Sequence, residues 1–323
     1  MSSSEPVVVI EHLTKKYGDL TAVDDLSLTL DRGHILGFIG PNGAGKTTTI
    51  KILVGLARPT SGTARIAGVD CVNDARKIKH MVGFMPDKFG GYTNMRVREY
   101  LDFFGAAFGI PRSKRSKRID AVMDITNATY MQDRYVDALS HGMAQRIGIC
   151  RTLLHDPEVL IFDEPANGLD PEARIEMREL LLKLADLGKT LIVTSHILPE
   201  LSRICDLVAI ISNARLRAYG TMSEITEQIG QHRMLEVQLA DAEQLAEAEK
   251  IITPSLPEES EVVVSPAEST LRFRANLTEL EMSQIIQRLV GASVPVSQFR
   301  ELQTDLEDAF LTVAQEDARE GDG

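Results

Sequence analysis

The sequence predicts an α/β fold with a mainly parallel sheet, followed by a small α+β domain. Short apolar runs bounded by turn residues, such as His34–Ile39 and Val159–Phe162, alternate with stretches of helical spacing such as Ile175–Leu187. That alternation favours β-α-β units and a parallel sheet. A second observation is a change in composition near Gly220, after which the pattern of strands and helices restarts. The length of 323 residues also exceeds the usual size of a single domain.

Charge is unevenly distributed between these two parts. The 47 acidic and 35 basic residues give a formal net charge of −12. Residues 221–323 hold 21 acidic and 7 basic residues, whereas residues 1–220 hold 26 acidic and 28 basic residues. We therefore predict a near-neutral domain, 1–220, and an acidic domain, 221–323. The overall acidity argues against a polyanionic partner. The near-neutral charge of the first domain does not.

Apolar runs place the strands of the first domain in order along the chain. The predicted strands are Val7–Ile10, Leu26–Leu30, His34–Ile39, Val159–Phe162, Leu191–Thr194 and Val208–Ile211. The early region, which also contains Gly62–Arg65, is richer in short strands and predicts an antiparallel layer. Residues 95–155 have a helical pattern instead, with Val97–Phe108 and Ile119–Met123 apolar on one face. They predict a helical subdomain.

A basic segment joins two helices of this subdomain. Five of seven consecutive residues are basic, namely Arg112, Lys114, Arg115, Lys117 and Arg118. We interpret the segment as a solvated loop and helix start. Contact with anionic lipid or with a partner protein is the alternative. No aromatic residues interleave with the charges, which disfavours nucleic acid binding.

The pattern of the acidic domain predicts strands and helices, and no catalytic motif stands out in it. The predicted strands are Leu235–Leu239, Glu261–Val264 and Leu271–Phe273, and the predicted helices are Ala242–Ile251, Leu277–Val290 and Leu306–Val313. Asn276 and Glu279 are spaced as a capping pair.

Composition indicates an ordinary globular protein, at 43% hydrophobic and 25% charged residues. No apolar run approaches the length of a membrane span, and the polar start Met1–Pro6 has no signal-peptide core. Cys71, Cys150 and Cys205 are scattered, which suggests plain buried thiols in a reducing compartment. We therefore expect a soluble cytoplasmic protein.

One glycine-rich segment predicts a phosphate-binding loop. It follows the apolar run Ile35–Ile39, precedes a helical pattern, and satisfies G-x-x-x-x-G-K-[ST]. In this motif, backbone N–H groups and a helix N-terminus converge on phosphate oxygens. Lys46 would reach the β- and γ-phosphates, and the Thr47 hydroxyl would coordinate Mg²⁺. The predicted binding residues are Gly40, Pro41, Asn42, Gly43, Ala44, Gly45, Lys46, Thr47 and Thr48.

Two carboxylates end a later strand and support this interpretation. Asp163 and Glu164 follow Val159–Phe162, so they would lie in the crevice where α/β folds bind ligands. Asp163 suits Mg²⁺, usually through water, and Glu164 is placed to polarise a water for attack on the γ-phosphate. Taken alone, the pair would more simply be two surface acids.

With these residues in hand, residues 6–220 closely resemble the nucleotide-binding subunits of ABC transporters. Leu139–Arg146 is similar to the family's signature segment, Ala166–Asp170 to its D-loop, and Ser195-His196 to its switch histidine. Tyr17 matches the aromatic residue that stacks on adenine. The resemblance implies a P-loop NTPase core of the ABC-ATPase type, with ATP and Mg²⁺ as cofactors.

The family's roles carry over to matching residues. The resemblance implies a dimer of two copies, in which Ser140 and Gly142 of one copy close over Lys46 and Glu164 of the other. His196 would contact the γ-phosphate and help to align the attacking water, which makes it catalytic together with Lys46 and Glu164. Asp170 of the D-loop would also lie at the nucleotide.

Three residues depart from the family pattern. Asp87 occupies the position of a glutamine that senses Mg²⁺ and the attacking water, and we expect it to serve as a catalytic and metal-binding residue. His141 and Met143 replace a glycine and a glutamine of the signature segment. Similar Met-Pro-Asp and Gly-Met patterns occur in a subgroup of ABC-2-type exporters, which the chain resembles.

The resemblance also implies the partners. A separate integral-membrane permease would dock at Gly90–Phe108, with the chain peripheral on the inner face of the cell membrane. Anionic lipid would repel the acidic domain, so we expect residues 221–323, an accessory or regulatory domain, to point away from the membrane. One alternative is a soluble ABC-type ATPase acting on ribosomes or nucleic acid, although no second cassette appears in the sequence. Another is a nucleotide-dependent binding module with little hydrolysis, which Lys46, Glu164 and His196 disfavour.

Overall fold

The computed structural model of the chain describes residues 6–87, 94–196, 201–229, 233–256, 260, 262–275 and 277–302. The described residues divide into two compact units, of which the first ends at Met222 and the second begins at Ser223. The division lies close to Gly220, where the composition of the sequence changes.

The first unit contains two sheets and a group of helices. Its strands are β1 (Val8–Tyr17), β2 (Leu20–Leu30), β3 (Ile35–Ile39), β4 (Ser61–Ile66), β5 (Val69–Asp70), β6 (Val82–Met85), β7 (Val159–Phe162), β8 (Thr190–Ser195), β9 (Leu207–Ser212) and β10 (Arg215–Gly220). Its helices are α1 (Lys46–Leu53), α2 (Ala75–Met81), α3 (Val97–Ala107), α4 (Arg112–Ile125), α5 (His141–Leu153) and α6 (Pro171–Asp186).

The larger sheet has the strand order β10-β9-β3-β8-β7-β6. Neighbouring strands from β9 to β6 pair in parallel, and only β10 runs antiparallel to its neighbour. Every residue of β3, β7 and β8 is buried, as expected for parallel strands that are covered on both faces. The predicted α/β fold with a mainly parallel sheet is confirmed.

The smaller sheet is antiparallel, with the order β2-β1-β4-β5. Its inward side chains, such as Leu13 and Leu26, belong to the same hydrophobic cluster as Phe38 of β3 and Ile50 of α1. The antiparallel layer predicted from the early strands is therefore present and packs on the parallel sheet.

Residues 97–153 form the helical part of the unit. Helices α3, α4 and α5 bury Tyr100, Leu101, Val122 and Ile149. Two short 3₁₀ turns, Thr129–Met131 and Val136–Ala138, connect α4 to α5. This part of the chain corresponds to the predicted helical subdomain.

The basic segment forms the start of α4, and two of its arginines bind the protein itself. Arg115 pairs with Asp102 at 2.9 Å. Arg118 donates to the carbonyl oxygen of Leu154 at 2.9 Å and pairs with Asp156 at 3.1 Å. These two guanidiniums therefore hold α4 against its neighbours.

The second unit has a β-α-β-β-α-β order. Helix α7 (Met222–Ile229) leads into β11 (Arg233–Leu239), α8 (Leu245–Ile252), β12 (Val262–Ser265), β13 (Thr270–Ala275), α9 (Glu279–Gly291) and β14 (Val296–Leu302). The strands form one antiparallel sheet in the order β12-β13-β11-β14, which is the ferredoxin-like arrangement.

Two details of this unit differ from the sequence prediction. Helix α9 is capped by Thr278 and Glu281, which form the reciprocal hydrogen bonds of a capping box, whereas Asn276 lies outside the described residues. Strand β14 was not predicted, because its apolar residues Val296, Phe299 and Leu302 recur every third position instead of alternating. The predicted helix Leu306–Val313 also lies outside the described residues.

The cysteines are free thiols, as the sequence suggests. Burial raises the pKa of Cys71 and of Cys150 to about 12, so both stay protonated at neutral pH. Among the described residues, no helix combines the length and the apolar character that a membrane span requires.

A buried carboxylate joins three strands of the second unit. Glu236 of β11 is 2% exposed and pairs with Arg272 of β13 at 2.7 Å and with Arg300 of β14. Burial opposes ionisation of Glu236, but the two guanidiniums outweigh it and lower the pKa of this carboxyl.

We expect Glu236→Gln to lower the stability of the second unit by about 1 kcal/mol at pH 7, a modest loss because both arginines are partly exposed. A carboxyl whose pKa is lowered by folding stabilises above its unfolded pKa of 4.5. That stabilisation is lost as the pH falls through the folded pKa. The difference between wild type and variant should therefore shrink at pH 3.5. Urea-dependent hydrogen exchange of the β11 and β13 amides in the full chain measures it.

The matched control is Glu247→Gln, which removes one partner of the exposed Glu247–Lys250 pair. It should change stability by less than about 0.5 kcal/mol at either pH. An equal loss in both variants would contradict the role assigned to Glu236.

Candidate nucleotide site

The phosphate-binding loop connects β3 to α1 along the edge of a cleft of about 320 Å³. Gly45 is the N-cap of α1 and has a φ of 109°, a left-handed conformation that favours glycine. A Cβ atom at Gly40 would collide with the carbonyl oxygen of Ile211, and one at Gly45 with the carbonyl oxygen of Ala22. The loop therefore passes so close to neighbouring backbone segments that only glycine fits at positions 40 and 45.

The Lys46 side chain is buried inside this loop. Its Nζ donates to the carbonyl oxygens of Gly40 at 2.6 Å and of Pro41 at 3.2 Å. Burial lowers the pKa of Lys46, while the nearby carboxylates of Glu164 and Asp163 act in the opposite direction. The Lys46 ammonium group is thus held beside the cleft by backbone carbonyl oxygens, which a phosphate oxygen could replace.

Asp163 lies between two threonine hydroxyls at the end of β7. Thr47 donates to its Oδ2 at 3.3 Å, and Thr194 donates to its Oδ1 at 2.8 Å. Oxygen donors of this kind suit Mg²⁺, which usually takes one or two protein ligands together with waters and phosphate oxygens. No group of three or more His, Cys, Asp and Glu side chains that could hold a metal occurs in the described part of the chain. The donor set fits a metal shared with a phosphate.

Glu164 points into the cleft from a left-handed backbone conformation, with a φ of 53°. Its backbone N–H donates to the Thr194 hydroxyl at 2.8 Å, which fixes the turn after β7. Its Oε2 lies 2.9 Å from Nδ1 of His196, the residue that follows β8. The carboxylate is 14% exposed and the imidazole 43% exposed, so the pair lies where the cleft meets solvent.

Asp87 reaches the same cleft from the end of β6. Its Oδ1 accepts a hydrogen bond from Nδ2 of Asn167 at 3.2 Å. The residues around the cleft are Asn42, Gly43, Ala44, Gly45, Lys46, Thr47, Thr48, Asp87, Asp163, Glu164, Asn167 and His196. The structure thus brings together most of the predicted phosphate, metal and catalytic residues.

Thr194 and Asn167 were not predicted as site residues. Thr194 is a polar residue near the end of an otherwise apolar buried strand, and that exception was a signal for it. Asn167 belongs to the D-loop-like segment, but the sequence alone does not place its amide beside Asp87.

Ser140 and Gly142 line a second cleft, of about 370 Å³, together with Gly168 and Asp170. The Ser140 hydroxyl caps α5 by accepting from the Met143 N–H at 3.4 Å, and Asp170 caps α6 by accepting from the Ala173 N–H at 2.8 Å. Within one chain, these predicted nucleotide contacts are therefore separate from the Lys46 cleft.

Tyr17 ends β1 and is 48% exposed. Its ring lies 4.6 Å from Nζ of Lys15, in a cation–π contact. The ring does not line the Lys46 cleft. Its predicted stacking on adenine stays a prediction.

Several known proteins are similar to this chain in sequence. The ABC transporter family model matches residues 23–167. Nod factor export ATP-binding protein I of Ralstonia nicotianae is 40% identical over 228 residues, which cover 70% of this chain and 71% of that protein. Bacitracin transport ATP-binding protein BcrA of Bacillus licheniformis is 39% identical, covering 73% of this chain and 76% of that protein. Linearmycin resistance ATP-binding protein LnrL of Bacillus subtilis is 29% identical, covering 94% of this chain and 96% of that protein.

Solved structures lead to the same family. An ATP binding subunit of an ABC transporter superposes with a TM-score of 0.63 at 28% identity, covering 69% of this chain and 93% of that one. The structure of cbiO1 from Clostridium perfringens, part of the ABC transporter complex cbiONQ, has a TM-score of 0.65 at 25% identity, covering 71% and 94%.

The fold and the cleft are those of a P-loop ATPase. The chain belongs to the ABC transporter family, as an ATP-binding subunit that hydrolyses ATP to power a membrane permease. The alternative of a soluble ATPase acting on ribosomes or nucleic acid is not favoured.

Thr194→Val tests how the site is held. The variant keeps the shape of the side chain but removes the hydroxyl that joins Asp163 to the Glu164 backbone. We expect ATP hydrolysis to fall about 10- to 100-fold, the usual loss when the partner of a functional carboxylate is removed. Steady-state phosphate release measures it.

Thr190→Val is the matched control. Thr190 lies at the other end of β8, is equally buried, and accepts from the Gly33 N–H at 3.0 Å. Both variants should lose about 1 kcal/mol of stability, but only Thr194→Val should lose activity at saturating ATP. Equal activity losses would mean that Thr194 acts through stability alone.

Proposed function

We propose that the chain works as a Mg²⁺-dependent homodimer on the inner face of the cell membrane and drives an exporter. The observation that carries the proposal is the Glu164 carboxylate, held by His196 in the same cleft as Lys46 and Asp163. The proposed direction of transport is supported by relatives whose names include Nod factor export, bacitracin transport and linearmycin resistance.

Thr47 and Asp163 would hold the Mg²⁺, with Asp87 placed to reach it through water. Bound there, the ion would supply positive charge that offsets the negative charge of the phosphates. The Thr47–Asp163 hydrogen bond supports this assignment, because it brings a hydroxyl and a carboxylate to the same point beside the loop.

Different residues of the chain have different roles in hydrolysis. Loop N–H groups and the N-terminus of α1 bind the phosphates, and Lys46 exchanges its carbonyl partners for phosphate oxygens. Glu164 orients a water and accepts its proton as the water oxygen bonds to the γ-phosphorus, while the bond to the leaving ADP oxygen breaks. His196 holds the Glu164 carboxylate and contacts the γ-phosphate.

A second copy of the chain would complete each site. Ser140 and Gly142 lie at the N-terminus of α5, where N–H groups and the helix dipole favour an anion. The cleft that they line is separate from the Lys46 cleft of the same chain. In the proposed dimer, this cleft of one copy covers the ATP held by the other, Asp170 lies beside the nucleotide, and Tyr17 stacks on adenine.

Residues 221–323 would form an accessory or regulatory domain. The ferredoxin-like unit has its own hydrophobic core, which includes Leu235, Phe273 and Leu289. The similarity to LnrL extends over 94% of this chain, so an extension of this kind also occurs in a relative.

Glu164→Gln tests the hydrolysis mechanism. The amide cannot accept the proton, so we expect turnover to fall at least about 100-fold. ATP binding should persist, and the variant should accumulate as an ATP-bound dimer. Phosphate release and size-exclusion chromatography with light scattering measure the two effects.

Glu179→Gln, on the exposed surface of α6, is the control and should behave as wild type. Full turnover in Glu164→Gln would show that another group is the base. An inactive variant that stays monomeric with ATP would argue against the proposed dimer.

A groove beside the helical part of the first unit is the proposed permease contact. It measures about 220 Å³ and is lined by Val54, Leu56, Ile78, Lys79, Val82, Phe84, Phe108, Arg151, Thr152 and His155. Leu56 is 61% exposed, and the Phe108 ring stacks on His155 with centroids 4.1 Å apart. Burial lowers the pKa of His155, which favours a neutral ring in this apolar wall. Of the predicted docking segment Gly90–Phe108, residues 90–93 lie outside the described residues.

We expect Leu56→Glu to release the chain from the membranes of its own cells, because a charge would enter an apolar contact. Sedimentation of tagged protein with membranes, followed by mass spectrometry for a multi-span partner, measures this. ATP hydrolysis by the purified variant should be unchanged. Leu187→Glu replaces another exposed leucine, at the end of α6, and should stay bound. Release of both variants would contradict a specific contact at the groove.

A further inference from the structure

Two of the residues that depart from the ABC family pattern are the ends of one hydrogen-bonded series. Asp87 lies at the Lys46 cleft, and His141 lies at the second cleft, beside Ser140 and Gly142. Asn167 stands between them and bonds to both.

Asn167 uses three groups in this series. Its side-chain Nδ2 donates to Oδ1 of Asp87 at 3.2 Å. Its backbone carbonyl oxygen lies 2.8 Å from Nε2 of His141, which donates the hydrogen bond when that nitrogen carries the proton. Its backbone N–H donates to the Glu164 carbonyl oxygen at 3.1 Å. The segment after β7 is thereby tied to the end of β6 and to the start of α5.

Gly168 lies directly beside the His141 imidazole. Its φ is 71°, and a Cβ atom there would lie 3.5 Å from two atoms of the His141 ring. The ring therefore covers the turn that presents the Asn167 carbonyl oxygen. Histidine in place of the family's glycine supplies a donor long enough to span the two segments.

The carboxylate of Asp87 needs such a partner. It shares the cleft with the carboxylates of Asp163 and Glu164, and like charges repel one another. The Asn167 amide offsets part of this repulsion and directs Oδ1 toward itself, which would leave Oδ2 available to a Mg²⁺ ion held by Thr47 and Asp163.

We infer that Asn167 is a positioning residue that orients Asp87 for Mg²⁺ and makes that orientation depend on His141 at the start of α5. The inference rests on the proposed Mg²⁺ role of Asp87. It gives the two departures from the family pattern a common purpose, because each is a partner of the same asparagine.

The test measures Mg²⁺ binding to the full chain. Calorimetric titration of Mg²⁺ into ATP-loaded protein carrying Glu164→Gln avoids turnover, and ATP hydrolysis with Glu164 intact is the second readout. We expect Asn167→Ala to weaken Mg²⁺ binding about 10-fold, the size typical of lost partners of metal ligands. Asp87→Asn should have a similar effect, and the two together should be no worse than Asp87→Asn alone.

A reversed pair provides the rescue. Asn167→Asp places a second carboxylate beside Asp87 and should weaken binding more than Asn167→Ala does. Combining Asn167→Asp with Asp87→Asn restores a donor and an acceptor in exchanged positions. This double variant should bind Mg²⁺ more tightly than the product of the two single effects implies. Multiplicative losses would overturn the inference.

His141 is tested with a donor and a non-donor. His141→Gln can still donate to the Asn167 carbonyl oxygen and should bind Mg²⁺ nearly as wild type, whereas His141→Ala should weaken binding several-fold. Thermal unfolding of every variant separates these effects from loss of fold. Unchanged binding in His141→Ala would overturn the link to α5.

The outcomes also separate the inference from the proposal beneath it. If Asp87→Asn leaves Mg²⁺ binding unchanged, the proposed metal role of Asp87 is wrong and the inference fails with it. If Asp87→Asn weakens binding but Asn167→Ala does not, the metal role stands and only the inference is overturned.

Discussion

Parallel pairing of β3, β8, β7 and β6 is the constraint on which the rest of the structure depends. Parallel strands bring their carboxyl ends to one edge of the sheet, and here each end carries part of the site. The register pairs Phe162 with Val193, so Asp163 lies beside Thr194. Asp163 accepts a hydrogen bond from the Thr194 hydroxyl. A slip of one residue would move every side chain to the opposite face of the sheet, and because both faces are buried and closely packed, such a slip is disfavoured. The precision of the polar site is therefore a product of the apolar core beneath it.

The cleft concentrates opposite charges that a nucleotide would rearrange. Lys46 is buried on loop carbonyl oxygens, while Asp163, Glu164 and Asp87 surround the space in front of it. Each carboxylate has its own partner: Thr194 for Asp163, His196 for Glu164 and Asn167 for Asp87. The partners of Glu164 and Asp87 each engage one carboxylate oxygen, whereas Asp163 also accepts from Thr47 through its second oxygen. The near-neutral charge of residues 1–220 is consistent with such a site, because the acidity of the chain is concentrated in residues 221–323, which have 21 acidic and 7 basic residues.

Sequence reasoning succeeded where the chemistry is contained in a short segment or at the end of a strongly apolar strand. The loop from Gly40 to Thr48 and the Asp163–Glu164 pair are of this kind, because backbone geometry and neighbouring residues determine what they can bind. It failed for β14, whose residues at every third position do not alternate, and which is a strand because β11 offers it a free edge. It also failed for Thr194 and Asn167, whose partners lie 31 and 80 residues away along the chain.

By itself, then, the sequence determined the α/β class, the phosphate loop, the carboxylates and the family of this ATPase, because each depends on local pattern or on motifs in a set order. The tertiary structure decided which side chains share a cleft. It separated Ser140 and Gly142 from Lys46 within one chain, and it joined Asp87 to His141 through Asn167. Such juxtapositions follow from strand order, register and the packing of helices on a sheet. These are long-range properties that no short segment of sequence contains.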